Sequence, residues 1–495
     1  MSESGSYNPD EVELPSGSFV GGCLVPGDGE EYDVIRPSDG HVAGHEKGAS
    51  SAMVDRAVRA AAHAFQSSGW AAEEPRARGR VLRNWASLVD RNAEELARLE
   101  SVVSSRIVSE ARARDVAVTS EVIRYYGELV DKIEGQVLAS PADVWSLTVR
   151  EPYGVVAGIS PWNAPLLLAV VKLAPALAAG NAIVLKPSEL TPYSAIRLAQ
   201  LGHEAGLPPG QIAIVPGLGS ETGSALVKHP LVSYVSFTGS TATGARVMSD
   251  AAMNGLKPVA LELGGKSPQL VLADAADLDK VAELVAGSIC RNAGQVCFAG
   301  TRLVVEEKIA DQLTEKVAEL IAKVKPGPTW NPQTTLAPII SNRQAERISE
   351  ILVRAKAQGA EIVTGGGLAS SDGGVFYEPT IVRNAKPQNP VIREEVFGPV
   401  LAVQRFHDIE EGLSLADHPV YGLAGAVHTA DINKALRAAR SIQAGTVWIN
   451  HYGPTPDVAS PMGGYKQSGF GKDLGVSGLE KYLRTKSIWI KTQKQ

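Results

Sequence analysis

Cys297 lies in the run Asn292-Ala293-Gly294-Gln295-Val296-Cys297-Phe298-Ala299-Gly300, after an amphipathic pattern carrying Leu278, Val281, Leu284, Val285 and Ile289. A cysteine between glycines, in a loop that follows a helix, sits where another group can approach, and its thiolate is an intrinsically strong nucleophile. The plainer alternative is a buried structural thiol, and Cys23 and Cys290 keep that reading. Glu262 stands in Val259-Ala260-Leu261-Glu262-Leu263-Gly264-Gly265, where Val259, Leu261 and Leu263 share one strand face and Glu262 turns to the other. A carboxylate in an apolar strand followed by two glycines is a candidate general base with a raised pKa; otherwise it is an edge-strand carboxylate in water. Asn163 falls in Ser160-Pro161-Trp162-Asn163-Ala164-Pro165, just before a helix that begins at Pro165. It suits an N-cap, and its amide equally suits donation to a developing oxyanion.

Glycine-rich loops raise the question of a dinucleotide. The sequence contains no G-x-G-x-x-G; Gly217, Gly219 and Gly223 are one residue too widely spaced, and Gly469, Gly471 and Gly475 follow no expected strand. Phe237-Thr238-Gly239-Ser240-Thr241-Ala242-Thr243-Gly244 follows a clean strand and opens a helix. Its glycines, hydroxyls and free N–H groups can meet a phosphate at the helix N-terminus, or form an ordinary turn capped by Ser240 or Thr241. Lys186-Pro187-Ser188-Glu189 ends another strand, where ligands of open α/β sheets bind; a lysine and a carboxylate there suit ribose hydroxyls, or a solvated turn with an exposed salt bridge.

The elements that must position these groups alternate. Strands are expected at Val155–Ile159, Ala182–Leu185, Ile212–Val215, Val232–Phe237 and Val259–Leu263, with helices at Leu166–Ala179, Tyr193–Ala205 and Ala242–Met253 between them. That alternation predicts a parallel sheet in an α/β domain. A second series starts near Gln269 and includes strands Arg302–Val305, Gly398–Val403 and Thr446–Ile449 and helices Ala310–Val324 and Arg343–Ala357. Ahead of both, Met53–Phe65, Arg76–Val103 and Ser109–Ile133 read as helices with one buried stripe. Ser487–Lys491 is a short strand that must pair with something distant or with another subunit.

The 495 residues suggest two or three domains, and 44% hydrophobic with 21% charged residues exclude wholesale disorder. A net charge of −6 gives no basic footprint for nucleic acid. Three cysteines make no disulfide framework, so a reducing, cytoplasmic setting is expected. The polar, acidic start does not read as a secretory signal. The longest apolar stretch, Leu166–Ala179, carries Lys172 and Pro175 and is too short to span a bilayer.

Taken together, these stretches resemble the aldehyde dehydrogenase superfamily from about Asp33 to Trp489. Seven motifs stand in family order: PWN at Pro161–Asn163, KPSE at Lys186–Glu189, FTGST at Phe237–Thr241, LELGGK at Leu261–Lys266, GQVC at Gly294–Cys297, EEVFGPV at Glu394–Val400 and GGYKQSGFGKDLG at Gly463–Gly475. The resemblance implies a doubly wound NAD-binding domain (1–131 and 151–263), an α/β catalytic domain (264–479) and a small β oligomerisation flap (132–150 and 480–495). It implies oxidation of an aldehyde to its acid by way of a cysteine thiohemiacetal and thioester, then hydrolysis. Cys297 is the implied nucleophile, Asn163 with the Cys297 N–H the oxyanion hole, and Glu262 the base for the hydrolytic water. Cofactor contacts are implied at Ser160, Trp162, Lys186, Ser188, Glu189, Gly219, Phe237, Gly239, Ser240, Gly244, Leu263, Glu395 and Phe397. NAD is expected, with NADP possible because Lys186 tolerates a phosphate; no metal is expected, and a homodimer or homotetramer is.

The aldehyde tunnel is expected along Ala164, Val171, Val296, Phe298 and Met462. Ala164, Val171 and Met462 stand where the family often places larger or more rigid side chains, and no Arg or Lys is expected beside them to pair with a substrate carboxylate. A bulky apolar aldehyde, aromatic or long-chain, is therefore expected over acetaldehyde and over carboxylate-bearing semialdehydes, unless Tyr452 and Pro454 refill the space. The other readings are a relative that passes the acyl group to coenzyme A, against which Glu262 argues, and a silent binding or structural protein on the same fold, against which intact Cys297, Glu262 and Asn163 argue.

Overall fold

The computed structural model describes residues 6–369, 373–453 and 457–492. Its first sheet has eight strands, and the central five are parallel, in the spatial order Ile212–Ile214, Ala182–Lys186, Val155–Ile159, Val232–Thr238, Val259–Glu262. The alternation of side chains explains why both faces must be covered. Val156, Ile183, Leu185, Ile212 and Ile214 pack with the helices Pro165–Ala178 and Tyr193–Glu204 on one side. Val155, Ala157, Ala182, Val184 and Ala213 pack with the helix Ser51–Ser67 on the other. Strand order reverses between Val155–Ile159 and Val232–Thr238, so the two chains leaving those strands diverge and open a crevice at their carboxyl ends.

The second sheet has seven strands, six of them parallel, with Pro268–Val271 and Arg302–Glu306 at its centre. The chain then returns: Gly469–Phe470 pairs antiparallel with Leu261–Glu262, adding an eighth strand to the first sheet and removing Glu262 from its edge. A separate antiparallel sheet joins Gln136–Leu138, Val144–Pro152 and Leu483–Lys491. The expected C-terminal strand is thus nine residues long, and its partner is this chain's own Val144–Pro152.

Two helical expectations are corrected. Arg76–Val103 is not one helix but Pro75–Arg91 and Ala93–Val103, broken at Asn92, whose backbone leaves helical geometry (φ −102°, ψ 23°). Ser109–Ile133 contains a wide π turn over Ala111–Val116 before the regular helix Ala117–Leu129. Such turns often mark functional sites, and this one carries Arg114 and Asp115. Among the described residues no helix is long and apolar enough to cross a membrane.

Candidate active site

The chain leaves the helix Leu278–Cys290 through three successive left-handed residues, Asn292 (φ 50°), Ala293 (φ 49°) and Gly294 (φ 70°). Each non-glycine in that region costs about 1–2 kcal/mol, so the turn must be held from outside. Buried Gln295 holds it: its Nε2 donates to Asn292 O (2.9 Å) and Pro338 O (3.0 Å), and its Oε1 accepts from Ile340 N (2.9 Å). Gly294 is obligatory, because a Cβ there would lie 2.2 Å from Gly398 O. Cys297 follows. Burial pushes its thiol up to about 12, helped by the charges of Glu395 and Glu262, while the backbone N–H groups of Phe298 and Cys297 pull the other way. Cys290 is buried in the core of the preceding helix.

Asn163 is not the cap of the following helix. Its Nδ2 donates to Gln295 O (3.0 Å), and Asn292 Nδ2 donates to Asn163 O (2.9 Å), so the amide is tied to the cysteine loop. The helix N-terminus is capped instead by buried Glu100, whose two oxygens accept from Leu166 N at 3.0 and 3.1 Å. With one Nδ2 proton committed to Gln295, the second remains for an oxyanion.

Glu262 ends its strand with Oε1 buried and without a partner. A Cβ on Gly463 would sit 2.6 Å from that oxygen, so glycine there makes the room. Burial raises the carboxyl well above its ordinary range, and Asp473 raises it further, while Lys481, Lys172 and Lys472 act in the opposite sense. Asp473 is ion-paired to Lys481. Lys172 is fully buried, donates to Thr238 Oγ1 (2.7 Å) and Ser236 Oγ (3.3 Å), and is pushed down to about 8 by desolvation. This second rank of charges was not read from the sequence as part of the site. Its signal lies in a lysine within an otherwise apolar helix and in the acid of the GKDLG stretch.

The crevice at the strand reversal holds the remaining groups. Ser240 caps the helix Thr241–Met253 by accepting from Thr243 N (3.3 Å). Gly239 and Gly244 lie against the Phe237 ring and Leu263, where a Cβ would fall within 2.6 and 2.5 Å. Gly219 faces open space, and Gly223 lies over the Lys186 stem. Lys186 is buried, not solvated, and donates to Pro187 O (2.9 Å) and Glu189 Oε2 (3.1 Å). Ser188 Oγ turns to its own backbone, accepting from Leu190 N (3.3 Å). Ser160 Oγ is buried without a partner. Glu395 accepts from Gly265 N (3.0 Å), and burial lifts it to about 7. Phe397 adopts φ 55° and meets the Trp162 ring edge-on at 5.2 Å.

One cavity of about 180 Å³ is lined by Asn163, Glu262 and Cys297 together, and also by Ala164, Val171, Val296, Phe298 and Met462. Tyr452 does not refill it: its hydroxyl donates to Phe298 O (2.5 Å) and its ring stacks toward Trp448 at 5.0 Å, so it braces the wall from behind. Pro454 lies outside the described residues. The wall is not free of cations, however. Arg106, Arg114 and Arg291 line the same cavity, brought in by the π turn and the cysteine loop, which sequence adjacency to Ala164, Val171 and Met462 does not reveal. Arg106 is committed to Asp115 by two bonds of 2.6 and 2.9 Å.

The model of the aldehyde dehydrogenase family matches residues 24–488. An aldehyde dehydrogenase of Davidiella tassiana is 40% identical over 489 residues, 99% of this chain and 97% of that protein. The NADP/NAD-dependent aldehyde dehydrogenase PuuC of Escherichia coli (strain K12) is 42% identical over 442 residues, 89% of this chain and 88% of that one. Among solved structures, an indole-3-acetaldehyde dehydrogenase complexed with NAD+ superposes with a TM-score of 0.95 at 40% identity, covering 98% of each chain.

Proposed function

The chain belongs to the aldehyde dehydrogenase family, and on that premise we propose that Cys297, Asn163 and Glu262 carry out a hydrolytic, NAD-dependent oxidation of an aldehyde with a sizeable apolar body. The observation that carries this reading is the convergence of all three side chains on one cavity.

Cys297 gives its thiol proton to a water molecule, and the thiolate sulfur attacks the aldehyde carbon, forming the C–S bond as the carbonyl π electrons move to oxygen. The second Nδ2 proton of Asn163 and the Cys297 N–H meet the oxygen that becomes negative. NAD, when bound, supplies the hydride acceptor. The chain's own residues fit it: the open Gly219 and the capped helix at Ser240 suit a pyrophosphate, and Lys186 with Glu189 suits the adenosine ribose. Glu395 suits the second ribose, and Phe397 and Trp162 offer faces for a flat ring. Oxidation leaves a thioester on Cys297. Glu262 then takes a proton from a water molecule, the resulting hydroxide adds to the thioester carbon, and the Cys297 thiolate departs as the carboxylic acid forms.

Glu262 distinguishes hydrolysis from transfer to coenzyme A, because only hydrolysis needs a base for water. NADH is therefore expected from an aldehyde and NAD alone, with no dependence on coenzyme A. NADP is expected to give kcat/KM at least about tenfold lower, because the 2′-phosphate of a ribose held by Lys186 and Glu189 would meet the Glu189 carboxylate, and like-charge contact costs several kcal/mol. Activity that requires coenzyme A, or equal values for both cofactors, would contradict this account.

Assembly is part of the same proposal. The three-stranded sheet exposes Val137, Trp145 and Trp489 at 69%, 56% and 70%, and Leu483–Lys491 lies at the sheet's edge with one paired side. An exposed apolar edge calls for a partner strand, which a second copy supplies in a homodimer or homotetramer. Deleting Ser487–Gln495 is expected to give monomer or insoluble protein by sedimentation; an unchanged profile would count against it. A reducing, cytoplasmic setting suits an enzyme whose nucleophile is a thiol and whose cysteines are all unbonded.

A further inference from the structure

We propose that Glu100 is a positioning residue for the oxyanion hole: by holding the first N–H of the helix Pro165–Ala178, it fixes the Asn163 amide against the oxygen of the bound aldehyde. The proposal rests on the reading of Asn163 as an oxyanion donor and adds what keeps that donor in place.

The helix begins on a segment that cannot cap itself. Ala164, at its N-terminal boundary, has no side-chain acceptor, and Pro165 has no N–H. The first N–H is therefore that of Leu166, and it donates to both oxygens of Glu100, at 3.0 and 3.1 Å. Glu100 comes from another helix, Ala93–Val103, and is fully buried. Buried Ser194 donates its hydroxyl to the same carboxyl. Burial, and then the charge of Asp115, raise that carboxyl above its ordinary range, against the bonds from Ser194 and Leu166 and the charge of Arg106. The neutral form this favours still presents a carbonyl oxygen to Leu166 N. Arg106 is bonded twice to Asp115, so Glu100 is a costly buried acid whose bonds go to the start of the helix and to Ser194. Asn163, just before that start, is tied on its other side. Its Nδ2 donates to Gln295 O (3.0 Å), while Asn292 Nδ2 donates to Asn163 O (2.9 Å) and to Gln295 O (3.2 Å). The cysteine loop therefore holds one end of the segment Asn163–Leu166 and Glu100 holds the other. Without the Glu100 acceptor the Leu166 N–H is buried and unpaired, and the first turn loosens. An oxyanion donor is effective only at about 2.7–3.1 Å from the oxygen, so a small shift of the Asn163 amide is enough to weaken it.

Rapid mixing with saturating NAD and propanal, a short aldehyde that makes little use of the cavity wall, reads the rate of the NADH burst. Glu100→Leu removes the acceptor and should slow the burst about tenfold, part of the roughly 10²–10³-fold that a whole oxyanion donor supplies. Glu100→Gln keeps a carbonyl oxygen at full reach and should restore the burst to within about threefold of wild type. Glu100→Asp keeps the carboxyl but draws it back by one methylene, and should fall between the two. Reaction of Cys297 with methyl methanethiosulfonate involves no carbonyl oxygen, and its rate should stay within about twofold of wild type in every variant. In an Asn163→Ala background, Glu100→Leu should cost less than about twofold more, because groups that act through one another are not additive. The proposal is overturned by an unchanged burst in Glu100→Leu, by a faster burst in Glu100→Asp than in Glu100→Gln, by burst and thiol reactivity falling together, or by a full further loss in the Asn163→Ala background. If Glu100→Leu does not fold, the order of the Gln and Asp variants decides. An undiminished burst in Asn163→Ala itself would strike the oxyanion reading; an undiminished burst in Glu100→Leu beside a slow Asn163→Ala strikes the positioning role alone.

Discussion

Cys297→Ala is expected to abolish NADH formation, a loss of at least about 10⁴-fold in kcat, as removal of a covalent nucleophile does elsewhere. No other described side chain in the cavity replaces a thiol, and without a sulfur–carbon bond the aldehyde carbon has no tetrahedral form from which hydride can leave. Cys297→Ser should be nearly as poor, since a hydroxyl is a weaker nucleophile and a poorer leaving group. The chemistry of the resting thiol is equally specific. With burial pushing it up to about 12, only a trace is thiolate at neutral pH. Alkylation of the resting enzyme should therefore be slow and rise about tenfold per pH unit through the neutral range without a plateau. NADH formation by Cys297→Ala near the wild-type rate would remove the nucleophile from this account.

Glu262→Gln should separate the two halves of the reaction. The first half does not need a base for water, so a burst of about one NADH per site is expected. Steady turnover should then fall by about 10²–10⁴-fold, the range attributed to a positioned general base. The pH dependence has a definite sign. Burial and Asp473 raise the Glu262 pKa, so the group is protonated, and unable to act as a base, below that value. Wild-type turnover limited by hydrolysis should rise as pH climbs through it, and Glu262→Gln should lose that rise. Lys481 and Lys172 oppose the shift and so limit how far the base is raised. Wild-type turnover by Glu262→Gln would show that some other group activates the water.

Much of the framework is legible in the chain itself, because local rules and global packing agree there. Val155–Ile159 and Thr446–Ile449 are found with the expected bounds. Their apolar runs bounded by turn residues admit few alternatives. The family resemblance is equally direct, since seven motifs stand in order. Contacts between distant segments are what the sequence hides. Asn163 looked like a helix cap by position, but Glu100, more than sixty residues earlier, takes that role and leaves the amide to the cysteine loop. Glu262 could have been an edge carboxylate; two residues more than two hundred positions later, Gly469–Phe470, close that edge. The helix break at Asn92 and the π turn at Ala111–Val116 reflect tertiary packing that overrides a continuous helical pattern. Arg114 and Arg291 reach the cavity only through the folded paths of their elements, so a search along the sequence beside Ala164, Val171 and Met462 misses them.

The covalent intermediate is the central claim, and mass spectrometry of Glu262→Gln after mixing with an aldehyde and NAD tests it most directly. Stalled before hydrolysis, the protein should gain the mass of one acyl group in place of one hydrogen, and peptide mapping should place that acyl group on Cys297. An unmodified protein after one equivalent of NADH has formed, or an acyl group on any other residue, would contradict the account.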